Sequence, residues 1–423
     1  MRKILKQQLR CLAITLPLSV FSGALLAQPE SCQSDRDVGP RALDEFTWKQ
    51  LNSIYEEIGE KNYAEANEDL RKMLGRAGKD DYLAAVLNQA LGQVEWSQEN
   101  YDEALEFLER AVELDALPND THFGLLYQVA QLYFVNERSD EAQQKLELWF
   151  CSVPEQEITA HAFVLKASIH ARRSEFEQAV EAIGTAIAMD EDPREQWFQL
   201  KLAAQYELKR YPAAAETLAS MIARWPQKKL YWMQLAQVHF KLGQDEQTLA
   251  VLALAYRKQL LDDPSDIRWL SSMYSNASVP YKAAEVLEKG IRDGIVESGK
   301  DNWTAVADTW YAAQELDRAL LAYEEAGRVS SDGRSDLRLA YILSDLERWA
   351  EAREALERAL EKGGLKANER GEAYLLRGLS RFNLGDFEGA GADWVESRRF
   401  ENTSDSARQW LNHLREERRR EVS

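Results

Sequence analysis

The sequence predicts an all-α protein, an array of about ten helix-turn-helix units closed by a C-terminal capping helix. Three observations carry this. The composition favours helix, with Ala, Leu and Glu abundant and only 10 prolines in 423 residues. The stretch 371–394, GEAYLLRGLSRFNLGDFEGAGADW, holds two helical patterns separated by the turn Asn383-Leu384-Gly385-Asp386. Tyr374, Gly378 and Phe382 share one face of the first pattern, and Phe387, Ala390 and Trp394 share one face of the second. Gly378 and Ala390 are small among bulky neighbours, which is what a close helix crossing requires. The third observation is recurrence, because the same signature returns along most of the chain.

In chain order, residues 1–27 read as an export signal. Arg2, Lys3, Lys6 and Arg10 give a basic start, the run from Cys11 to Leu26 is mostly apolar, and Ala27 precedes an expected cut before Gln28. The apolar run is short for a membrane span and contains Pro17 and Gly23. The expected destination is a Gram-negative periplasm, with no membrane span after cleavage. Residues 28–45, with Pro29, Gly39 and Pro40, read as an irregular lead-in.

From residue 46 to residue 402 the small-residue signature recurs at Ala66, Ala104, Ala142, Ala179, Ala214, Thr248, Ala283, Ala319, Ala352 and Ala390, at intervals of 33 to 38 residues. Four residues after each stands a bulky one: Leu70, Leu108, Leu146, Ile183, Leu218, Leu252, Leu287, Tyr323, Leu356 and Trp394. Preceding helices pair a bulky with a small residue about twelve positions earlier, as in Leu91-Gly92, Val129-Ala130 and Leu339-Ala340. Prolines such as Pro118, Pro154 and Pro193 fall between units, where they stop a helix. Three departures from the pattern are expected: Ile54 at a small position, an extra residue before Tyr211, and a lost one near Ser278-Val279-Pro280. The last segment, 403–423, carries the stripe Trp410, Leu411, Leu414 on a charged helix and reads as the cap.

The net charge is −19. Residues 55–120 hold 17 acidic and six basic side chains, a surface that repels nucleic acid and anionic lipid and suits a basic partner or simple solvation. After export two cysteines remain, Cys32 and Cys151. An oxidising compartment permits a disulfide between them, and pairing depends on a distance that sequence does not encode.

The sequence carries no catalytic or metal-binding constellation. His122, His161, His170, His239 and His413 are scattered over different units, and His170 and His239 occupy positions that read as packed core. No glycine-rich phosphate loop or nucleophile elbow is present. The expectation is therefore a non-enzymatic protein with no catalytic residues, no metal and no cofactor.

These positions resemble those of the tetratricopeptide repeat, a helix-turn-helix of about 34 residues. The resemblance covers residues 46–402 and implies a right-handed solenoid whose first helices line a concave groove for a protein or peptide. Carried onto this chain, the groove positions are Gln89, Gln93 and Trp96; Tyr127, Gln131 and Phe134; Met233, Gln237 and Phe240; and Thr304, Asp308 and Tyr311. The theme is an aromatic tip beside an amide or other polar group. Three segments, 193–203 (PREQWFQLKLA), 279–290 (VPYKAAEVLEKG) and 409–420 (QWLNHLREERRR), are similar to those of exported gammaproteobacterial tetratricopeptide proteins regarded as components of a TonB energy-transduction system. That likeness implies a periplasmic accessory of outer-membrane uptake with TonB-type motor components as partners. The alternative is a scaffold for envelope assembly or polysaccharide export.

Overall fold

The computed structural model describes residues 32–422. Among them every regular element is helical, and the chain divides into two compact units between Ala204 and Gln205. The export-signal reading of residues 1–27 lies outside the described residues.

The first unit contains α1 (Glu45–Gly59), α2 (Tyr63–Leu74), α3 (Asp81–Ser97), α4 (Tyr101–Glu113), α5 (Asn119–Val135), α6 (Ser139–Ser152), α7 (Ala160–Arg172) and α8 (Phe176–Met189). The division falls inside α9 (Glu195–Glu207). The second unit continues with α10 (Tyr211–Arg224), α11 (Lys229–Lys241), α12 (Asp245–Arg257), α13 (Pro264–Asn276), α14 (Pro280–Arg292), α15 (Lys300–Ala312), α16 (Leu316–Val329), α17 (Arg334–Asp345), α18 (Trp349–Lys362), α19 (Ala367–Asn383), α20 (Phe387–Ser397) and the terminal α21 (Ser404–Val422). The helices follow one another as ten pairs and a last helix.

One local device builds every pair. The residue five positions before each recurrent small residue has positive φ: Lys61, Glu99, Glu137, Ser174, Lys209, Gly243, Ser278, Gln314, Glu347 and Gly385. The next residue turns its N–H back to a carbonyl five residues earlier, as in Asn62 to Glu57 (2.8 Å), Asn100 to Glu95 (2.9 Å) and Arg348 to Leu343 (2.8 Å). This is the Schellman closure, which satisfies carbonyls left open at a helix end. Three residues therefore separate the helices of each pair. The extra residue expected before Tyr211 and the loss expected near Ser278 do not occur, because both turns have the common length. Variation in repeat length lies between pairs, where loops such as 75–80 and 330–333 differ in size.

Within each unit the turn aims the second helix so that its small residue meets the first. Ala66, Ala104, Ala142, Ala179, Ala214, Thr248, Ala283, Ala319, Ala352 and Ala390 are all 0% exposed, and the bulky residues four positions later are buried. At two crossings the first helix carries glycine against the second. A Cβ on Gly92 would lie 2.3 Å from Leu108 Cδ2, and one on Gly378 would lie 2.5 Å from Trp394 Nε1. The apolar faces then merge into shared cores. In the first unit Leu105, Leu126, Val129 and Ile169 join one cluster, and in the second Leu270, Val306, Trp310 and Leu343 join another. At the end of the second unit α21 covers the last pair, with Trp410 stacked on Trp394 at 5.3 Å and Leu414 buried.

The lead-in is irregular but docked. Cys32 is joined to Cys151 at the end of α6 across 119 residues. The Gln33 amide donates to Ser152 Oγ at 2.9 Å. Arg36 reaches Asp115 (2.6 Å), Asn119 (2.6 Å) and the Leu117 carbonyl (2.5 Å). Val38 and Asn119 exchange hydrogen bonds, and the Tyr82 hydroxyl donates to the Arg41 carbonyl at 2.6 Å. Closing a loop of that length restricts the unfolded chain by about 5 kcal/mol in the entropic account. His122 sits under this strap, fully buried, with Nε2 2.8 Å from Gln33 Oε1. Its Nδ1 lies 3.9 Å from Asp115. Burial and the nearby Arg36 charge depress its pKa to about 4, against the pull of Asp115.

Three outcomes are expected. Ala104→Leu, Ala319→Leu and Ala352→Leu should each overpack a crossing and cost roughly 1–3 kcal/mol, read as a lower Tm; unchanged Tm in all three would refute the register. Glu347→Gly should stabilise its pair and Gly243→Ala should destabilise its own, each by about 1 kcal/mol, because only glycine adopts positive φ freely; the reverse signs in urea titration would refute the turn assignment. His122 titrates lower in the fold than its ordinary 6.5, so the unfolded chain takes up the proton first. Stability supplied by the neutral ring is therefore complete above about pH 6.5 and is lost as pH falls toward 4, up to about 3 kcal/mol. Wild type should lose more stability than His122→Gln between pH 7 and pH 4.5; identical pH profiles would contradict this.

Candidate functional site

The groove positions lie on first helices, and each unit is taken by itself. In the first unit Gln89, Gln93 and Trp96 follow one face of α3, and Tyr127, Gln131 and Phe134 follow one face of α5. Gln93 is exposed, and the other five are half-buried. Trp96, Tyr127 and Phe134 pack their inner edges on the core of the unit. Tyr127 lies 5.0 Å from the Trp149 ring, and burial raises its phenol pKa while hydrogen bonding to Gln131 opposes the rise. The Arg172 guanidinium sits 4.0 Å from the centre of the Phe134 ring and donates to the Phe134 carbonyl at 2.5 Å. This aromatic tip is thus already covered in part by the following helix pair of the same unit.

In the second unit two polar members of the stripe, Thr304 and Asp308, join neighbouring first helices. Thr304 Oγ1 meets Ser335 Oγ at 3.5 Å. Asp308 accepts the Tyr323 hydroxyl and a two-oxygen contact from Arg338 Nη1 at 2.7 and 2.9 Å. Burial, then the hydrogen bond to Asp308, raises the Tyr323 pKa, so the phenol stays protonated as a donor. Met233 packs on the core, and Gln237 is exposed. The aromatic tips point outward: Phe240 is 54% exposed and Tyr311 45%. Large aromatic surface left in water at equivalent positions of two repeats is a feature of binding faces.

Asp262, Asp263 and Asp266 bring their carboxylates close enough to share an ion. The Lys229 ammonium already occupies that position, 2.6 Å from both Asp263 and Asp266 and in contact with Asp262. Burial disfavours its charge, and hydrogen bonds to the three aspartates more than reverse that, so the Lys229 pKa is raised. The knot ties the start of α11 to the start of α13, and Lys300 with Asp332 (2.6 Å) repeats the tie between α15 and the loop before α17. The histidines have similarly structural partners. His170 Nδ1 lies 2.7 Å from Glu175, and His239 Nδ1 lies 2.7 Å from Gln244, both across a hairpin turn.

One feature escaped sequence reasoning. Asp120, Phe123, Gly124 and Tyr127 lie at i, i+3, i+4 and i+7 on α5, and with Trp149 and Glu157 they line an open cleft of about 390 Å³. The spacing was legible, but the contributions of α6 and the segment after it were not. Among the described residues no helix is long and apolar enough to cross a membrane.

Residues 337–402 and residues 85–116 match two tetratricopeptide repeat families. No curated protein matches the chain. Among solved structures, a tetratricopeptide repeat protein from Parabacteroides merdae is 13% identical, with 68% of this chain and 94% of that one covered and a TM-score of 0.38. The TPR2AB domain of yeast Sti1, in a complex with pHSP90, is 17% identical over 60% of this chain and 96% of its own, with a TM-score of 0.32. Yeast Tom70 is 13% identical over 89% and 97%, with a TM-score of 0.30. Both units are thus all-α arrays of helix pairs, and a stretch of each, 85–116 in the first and 337–402 in the second, matches the tetratricopeptide repeat.

Proposed function

We propose that the chain is a non-enzymatic scaffold that captures a protein segment along the outward stripes of its first helices. The observation that carries this is the pair of exposed aromatic tips, Phe240 and Tyr311, recurring at one repeat position, the second beside polar groups that are spent on joining neighbouring helices. The specific place of action is the periplasm. The basic and apolar character of residues 1–27 supports export, and the Cys32–Cys151 bridge supports an oxidising compartment. The finer role is that of an accessory to a TonB-type energy-transduction system, and the likeness of residues 193–203, 279–290 and 409–420 to exported proteins of that kind supports it. The partners are then periplasmic parts of the TonB-type motor.

Trp96 and Phe134 also hold the core, so Phe240 and Tyr311 make the cleaner test. Truncating aromatic anchors of an interface commonly costs about 2 kcal/mol or more, enough for a tenfold loss of affinity. Phe240→Ala with Tyr311→Ala should weaken binding to purified periplasmic motor domains at least tenfold while the circular dichroism spectrum stays that of wild type. Equal binding by wild type and variant would remove these tips from the interface. Absence of any wild-type binding, with normal uptake of iron chelates in a deletion strain, would end the TonB assignment.

A further inference from the structure

We propose that the cleft on α5 receives the lysine or arginine side chain of a bound protein segment. The inference deepens the segment-binding reading and rests on it. The cleft has two chemically distinct parts. Its inner wall is aromatic: Phe123 and Trp149 are buried, and the half-buried Tyr127 ring stands 5.0 Å from Trp149 with 42° between the planes. Its mouth is anionic, because Asp120 and Glu157 are exposed at the rim. No basic side chain lines it. The volume of about 390 Å³ is within the range of ligand pockets.

An apolar interior with a negative rim selects among side chains. An aliphatic or aromatic anchor would fill the interior but strip water from two carboxylates without pairing them. An acidic side chain would be repelled. Lysine and arginine carry an apolar stem and a cationic head, so the stem lies on the rings and the head reaches the carboxylates. Aromatic faces add cation–π attraction, which is stronger away from bulk water. The surrounding charge acts in the same direction, since residues 55–120 carry 17 acidic against six basic side chains. The cleft also continues the stripe of Tyr127, Gln131 and Phe134 toward the start of α5, so an anchored side chain would fix the register of a segment lying along it.

The test needs no knowledge of the partner. The full chain is labelled with 5-fluorotryptophan, and the Trp149 resonance is assigned from Trp149→Phe. It is then titrated with N-acetylarginine amide, its neutral isostere N-acetylcitrulline amide, and N-acetylleucine amide. The arginine probe should shift the Trp149 signal with at least tenfold greater affinity than citrulline, and the Asp120→Asn, Glu157→Gln variant should reduce that ratio to about one. Gly124 offers a second variant, because a Cβ there meets nothing within 4 Å. Gly124→Leu should block the shift and keep the helical spectrum. Citrulline or leucine binding as tightly as arginine overturns the proposal, as does selectivity that survives loss of both carboxylates. The two readings separate cleanly: arginine selectivity without capture of motor domains removes the TonB-type partner and leaves the cleft, whereas capture without selectivity removes the cleft.

Discussion

The close crossing inside each helix pair is the constraint on which everything else rests. A helix is about 10 Å across with its side chains, and two of them approach closely only where the facing position is small. Here that position is filled ten times by alanine or threonine with no residual exposure, always five residues after a positive-φ turn residue. The spacing matters physically because the turn fixes the rotation of the second helix, and the rotation decides which residue meets the partner. Eight of the ten turn residues are not glycine, so the fold accepts a backbone cost of about 1–2 kcal/mol at most turns. It is offset by three-residue connections whose carbonyls are satisfied and by burial of the leucine, isoleucine, tyrosine or tryptophan four positions later.

Given identical pairs, stability depends on how neighbours are joined. Apolar merging supplies most of it, as in any array whose repeats touch only the next repeat. Polar joints add direction. Lys229 with three aspartates, Lys300 with Asp332 and Asp308 with Arg338 each link successive first helices. They are partly solvent-exposed pairs, so each contributes modestly, and their value lies in fixing spacing more than in energy. The first unit uses a different fastening. Its irregular lead-in is bonded through Cys32, Arg36, Val38 and Arg41 to residues spread from Tyr82 to Cys151. A covalent and hydrogen-bonded strap ties several pairs together, which nearest-neighbour packing alone does not do.

The architecture was legible because its signal is periodic and local. Small residues at a regular interval, each followed by a bulky one four positions on, report helix crossing directly, and the ten buried positions are the ten read from the sequence. The turns were less legible. Lys61, Glu99 or Gln314 gives no hint of positive φ, so the uniform length of the turns could not be read. Long-range docking of the lead-in was illegible, since Arg36 meets Asp115 and Asn119 only after several pairs have folded. The site divided the same way. Stripe positions followed from register, but their tasks depended on neighbours about thirty residues away: Asp308 is committed to Arg338, Phe134 lies under Arg172, and Phe240 remains open. The cleft needed three separate segments and left no single pattern in the chain.

That division of labour bears on recognition. Where a polar stripe residue is consumed by the next helix, it cannot also pair with a ligand without breaking a joint. Binding energy must then come chiefly from aromatic surface and from charges that the fold leaves unspent. Phe240 and Tyr311 supply the first, with exposures of 54% and 45%. Exposed carboxylates supply the second, and within the first unit they gain a shape at Asp120 and Glu157, which line a cleft with aromatic rings. Aromatic contacts are tolerant of sequence, and dispersed charge mainly accelerates encounter. Selectivity therefore has to arise where the two coincide in a concavity, because only there does a ligand lose water on both its apolar and its charged parts at once.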